Sequence, residues 1–148
     1  MNTTRTFAIM TAVLALVIGT PLLVVAAQTN EPELVGQRWY RGDGLGYNVT
    51  LTLGDDGTYD AKWSGCLGIY GHSRGMWVDQ GFEIALAPEF EEGSMIGHLR
   101  SLRRLKIQNT DVLVPPEDIE RVLKADATMK AQGWIPFEAF RRDSELSF

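Results

Sequence analysis

The chain has 148 residues, with 14 Lys and Arg against 19 Asp and Glu, a formal net charge of −5 and a single cysteine. The acid excess makes nucleic acid and anionic lipid poor partners. One thiol excludes an intrachain disulfide, so buried apolar surface has to hold the fold together.

The chain opens with Arg5 and then an uncharged run, FAIMTAVLALVIGTPLLVVAA, over residues 7–27. A basic start, an apolar core and the small residues Val25-Ala26-Ala27 read as a secretory signal cut before Gln28. The alternative is an uncut membrane anchor, because about 20 apolar residues span a bilayer. Cleavage leaves 121 residues carrying a charge of −6, enough for one domain in the periplasm or outside the cell. Residues 28–35, QTNEPELV, form a polar leader, residues 36–140 a single β domain, and residues 141–148 a frayed tail.

The domain reads as short strands joined by turns. Tyr47, Val49, Leu51 and Leu53 alternate with Asn48, Thr50 and Thr52, the period of a half-buried strand. Gly54-Asp55-Asp56-Gly57 is a turn, and Tyr59, Ala61 and Trp63 share a face of the returning strand. A second hairpin pairs residues 75–78 with residues 82–87; Phe82, Ile84 and Leu86 share a face, and Pro88 ends the strand. Residues 89–97 read as an acidic connection. A third pair joins Leu99 to Ile107 with Asp111 to Val114. Thirteen glycines between 36 and 97 suit tight turns and bulges. Pro115-Pro116-Glu117-Asp118 opens a helix of about 116–132, with Ile119, Val122 and Leu123 on its apolar stripe and Gly133 as its stop. The helix lies on the sheet or across one end of a barrel, and Trp134, Ile135, Phe137 and Phe140 pin the chain after it. The fold class is mainly β: an antiparallel meander forming a small barrel or strongly bent sheet, with one C-terminal helix.

Gly65-Cys66-Leu67-Gly68 echoes Asp43-Gly44-Leu45-Gly46. Each is a bend where the backbone needs an unusual conformation or a close approach. Cys66, as a small apolar residue, is expected to fill a tight core position beside Trp63 or Leu67; an intermolecular disulfide is the sharper alternative. Arg41-Gly42-Asp43 matches an adhesion tripeptide, but three residues carry little specificity. Asn48-Val49-Thr50 is a glycosylation sequon within a strand, and Asp55-Asp56 is a solvated turn. His72 and His98 stand without metal-ligand spacing and read as surface residues. Either could join Cys66 in a hydrolase, but nothing orients the pair. Arg100, Arg103, Arg104 and Lys106 form a basic run that protects an edge strand or, alternatively, meets an acidic partner.

Most of the aromatic residues belong to the core, and a few could line a barrel mouth. The candidate ligand-binding residues are Tyr47, Trp63, Cys66, Tyr70 and Trp77; no catalytic residue, metal ligand or cofactor is assigned.

Leu51-Thr-Leu-Gly-Asp-Asp-Gly57-Thr-Tyr59, Gly75-Met-Trp77 and Gly81-Phe-Glu-Ile84-Ala-Leu86 together resemble the small exported lipocalin-like domains of bacteria. Leu34-Val-Gly-Gln-Arg-Trp39 and Gly65-Cys66 are similar to the META family. The resemblance covers residues 34–88 and implies an antiparallel barrel, an envelope location and no fixed catalytic set. The expectation is a non-enzymatic exported domain that binds a small apolar ligand or an envelope partner. The alternatives are an interaction module that forms a homodimer by a sheet edge or by Cys66, and the hydrolase. An open apolar cavity between sheet and helix favours the ligand; a filled interior favours interaction.

Overall fold

The structure is a computed structural model that describes residues 34–129 and 133–145. The apolar run at 7–27 and most of the polar leader lie outside the described residues. Among the described residues, no helix is long and apolar enough to cross a membrane.

Eight antiparallel strands follow one another around a nearly closed barrel: β1 (Arg38–Gly42), β2 (Asn48–Leu53), β3 (Thr58–Gly65), β4 (Gly68–Asp79), β5 (Glu83–Gly93), β6 (Ser101–Ile107), β7 (Thr110–Val114) and β8 (Arg141–Arg142). Each of the first six pairs with the next, while β8 pairs with β1, placing Trp39 opposite Arg142. Reciprocal backbone bonds between Leu113 and Phe140, at 3.0 and 2.8 Å, close the seam. The tail is therefore not frayed where it begins: Arg141 and Arg142 complete the wall.

The expected hairpins form, and two extend further than expected. β4 starts at Gly68, and its inward positions, Gly71, Ser73 and Gly75, are too small to show an apolar alternation in the sequence. β5 runs through Pro88 to Gly93, because a register shift opposite Arg74 and Gly75 takes up the extra residue. Phe82 is exposed, unlike Ile84 and Leu86, with the Arg103 guanidinium 4.8 Å above its ring.

Side chains fill the barrel. Trp39, Val49, Leu51, Leu53, Ala61, Ile84, Leu102, Leu113 and Phe140 are all buried in one cluster, sealed by Met95 and Leu99 from the β5–β6 connection. A 3-10 turn, Pro116–Asp118, leads into α1 (Ile119–Met129). The helix lies against the outer face of β6 and β7, where Val122 and Ile119 meet Ile107, Val112 and Val114 in a second, smaller core. Leu123 faces solvent, as do Trp134 and Phe137 beyond the helix; Phe140 is fully buried and Ile135 partly so.

Candidate functional site

An antiparallel meander sends alternate connections to opposite ends. The β1–β2, β3–β4 and β5–β6 connections and the 3-10 turn after β7 meet at one end, here called the rim. At the other end, the mouth, lie the β2–β3, β4–β5 and β6–β7 turns, Leu34 and the 3-10 turn Asp143–Glu145.

Below the rim sits a buried polar hub. β1 points Arg41 inward, and its Nη1 donates to Asp118 Oδ2 at 3.1 Å, with both side chains nearly inaccessible to solvent. Arg41 Nη2 donates to the Tyr47 hydroxyl, and the guanidinium also lies 5.1 Å from the Tyr47 ring centroid and 5.3 Å from that of Phe140. Tyr47 meets Trp63 edge-on at 4.7 Å, and the His98 ring lies 5.2 Å from Trp63. Burial raises the Tyr47 pKa against the opposing pull of Arg41. The His98 pKa is lowered, first by burial and then by Arg41, with Glu117 and Asp118 opposing. His98 is thus a half-buried neighbour of the hub and not the free surface residue expected. The adhesion tripeptide is not presented, because its arginine is committed to Asp118 inside the barrel.

Above the hub the two echoing loops pack on each other. Cys66 Sγ donates to the Leu45 carbonyl at 3.1 Å, and a Cβ on Gly65 would fall 2.6 Å from the Tyr70 ring and 2.7 Å from the Gly46 carbonyl oxygen. Close approach is the reason for glycine at that position. Asp43 organises the first loop by accepting from the backbone N–H groups of Leu45, Gly46 and Tyr47 at 2.8, 3.1 and 3.1 Å. Those bonds, led by Leu45, hold its carboxyl below the ordinary range. The Leu67 N–H donates to the Tyr70 hydroxyl at 3.3 Å.

Cys66 does not fill the core. It is exposed, because β3 ends at Gly65 and β4 begins at Gly68, leaving Cys66 and Leu67 as the two residues of the turn. Neither histidine hydrogen-bonds it among the described residues; His72 instead pairs with Asp60 on the outer face. At the same end of the barrel Leu67 (91% exposed), Leu45 (72%), Ile96 (68%) and Ile69 (67%) stand in solvent. Four of the five candidate residues, Tyr47, Trp63, Cys66 and Tyr70, thus gather at the rim. Trp77 belongs to the mouth end, where its Nε1 donates to the Gly54 carbonyl at 2.9 Å. Sequence reasoning missed Arg41, Asp118 and the exposed leucines, although the shared small-Leu-Gly pattern of the two loops already marked Leu45 and Leu67.

The basic run splits by alternation. Arg103 meets Glu83 at 2.9 Å outside the barrel, and Arg104 points inward to Asp79. Edge protection does not explain the run, because β6 has a strand on each side. Comparison with family models, with curated proteins and with solved structures finds no match to this chain.

Proposed function

We propose that this chain is a non-enzymatic domain exported to the cell envelope, where its rim docks on a protein partner. The observation that carries this reading is the exposure of Leu45, Leu67, Ile69 and Ile96, all at one end of a barrel whose interior is occupied by its own side chains. Several large apolar side chains exposed at one end of a domain mark a contact site more readily than a single exposed one does. The exposed carboxylates of Asp43, Glu92 and Glu117 lie toward the same end, which favours a protein with a basic border over an anionic bilayer. The likeness to exported lipocalin-like and META domains belongs to this proposal, and the meander barrel is the fold that it implies.

Photocrosslinking in the producing cells tests the reading. A photoreactive residue at position 67 or 96 is expected to give one discrete adduct, and at position 55, at the mouth end, none. Equal adducts from both ends, or none from the rim, would refute it. A second reading rests on the thiol: Cys66 stands exposed at the same end, so the partner could be another copy of this chain. An adduct of twice the chain mass, and a dimer that reducing agent splits, would select that reading.

A further inference from the structure

We infer that the β5–β6 connection is an acid-sensitive plug, latched over the rim by the uncharged ring of His98 against Trp63. The connection turns at Gly93 and Gly97, with φ of 57° and 71°, and drops two side chains into the barrel. Met95 and Leu99 are buried in the main core cluster, while Ile96 between them stands in solvent. Backbone bonds do little to tie the plug to the wall. Met95, Ile96 and His98 donate to carbonyls within the turn, those of Glu92, Gly93 and Met95; Ser94 donates to the Tyr70 carbonyl of β4 at 3.0 Å. At the base, Glu91 accepts from Arg100 at 2.7 and 2.8 Å and from the Gly97 N–H at 3.2 Å.

The setting of His98 makes the latch depend on its charge. The residue is half-buried, its ring lies 5.2 Å from that of Trp63, and neither ring nitrogen has a hydrogen-bond partner among the described residues. The charged groups that face it are Arg41 from β1 and Glu117 and Asp118 from the 3-10 turn. Asp118 is already shared, by Arg41 at 3.1 Å and by Arg121 at 3.0 Å, and Glu117 is exposed. An imidazolium here would give up water without gaining an acceptor and would stand near a fixed guanidinium. Burial first, and Arg41 second, accordingly lower the His98 pKa against the pull of both carboxylates. The seated plug therefore favours neutral His98, whereas a lifted plug leaves the ring in water, where it titrates near about 6.5. By linkage, acid favours the lifted state. Glu91 is not the trigger, because the bond from Arg100 holds its carboxyl below the ordinary range. Ile96 rides on the same connection, so the plug regulates the docking rim; that consequence alone rests on the docking proposal.

The test uses the full chain alone, so its outcome is separate from that of the crosslinking. Amide hydrogen exchange, corrected for intrinsic rates, is followed at Ser94, Met95 and His98, with Leu51 in the barrel wall as the reference, from pH 7.5 to pH 5. Protection at the three plug amides should fall at least fivefold more than at Leu51. In His98→Gln that extra loss should shrink below twofold, while His72→Gln, on the outer face, should retain it. A melting curve at pH 7.5 checks that both variants fold, and the parent chain decides the matter if one does not. A fall shared equally with Leu51, no fall at the plug, or an undiminished fall in His98→Gln would each overturn the proposal.

Discussion

The two ends of the barrel are closed by opposite means. At the rim a charged pair, Arg41 with Asp118, is sunk beneath aromatic rings, and leucines and isoleucines stand out in water above it. At the mouth the order is reversed: Trp39 is buried and the charges, Lys106 and Asp111, stand at the surface. An ion pair kept from water is costly to break, whereas an exposed one adds little to stability. The rim should therefore be rigid below and adhesive above. The mouth should tolerate changes to its charges.

The sharpest way to break this contrast is to remove one acid from each pair. Asp118→Ala leaves Arg41 buried and unpaired and should cost about 3–5 kcal/mol, read from the urea midpoint. The double variant Arg41→Met/Asp118→Leu should recover most of that loss. Asp111→Ala, the mouth equivalent, should cost less than about 1 kcal/mol. Equal losses from the two single variants would show that the ends do not differ.

A smaller effect separates the ends by pH. Burial, and then Arg41, hold the folded-state pKa of His98 below its ordinary value, so the fold favours neutral His98. Its contribution is complete above the ordinary histidine value of about 6.5 and is lost as pH falls through the lower folded value. Stability from pH 7.5 down to 5 should therefore fall less in His98→Gln than in the parent. Identical slopes would place His98 outside the hub's energetics. The smallest expected change is at the surface: Leu67→Ser should move stability by less than about 0.5 kcal/mol while abolishing the rim adduct.

The alternation in residues 47–53 and 58–63 was enough to predict the central hairpin, because those inward positions are large and apolar. β1 and the first half of β4 were hidden for the opposite reason. Arg41 in one, and Gly71, Ser73 and Gly75 in the other, occupy inward positions without an apolar signature. Arg41 and Asp118 lie 77 residues apart, so only the closed barrel brings them together. The exposure of Cys66 was missed because its small neighbours suggest tight packing, whereas here they shape a two-residue turn. The candidate aromatic residues crowd together in the chain, and only the topology separates Trp77 from Tyr47, Trp63 and Tyr70 at the rim.

The central claim is that the domain works from its rim and not from its interior. Cys66 allows this to be tested with no substitution beyond the photoreactive residue, because it is the single thiol of the chain and it is exposed. Labelling it with a bulky maleimide should proceed as fast in the native state as in urea, leave the melting curve unchanged and eliminate the adduct formed from position 96. Full adduct yield from the labelled protein would contradict the claim.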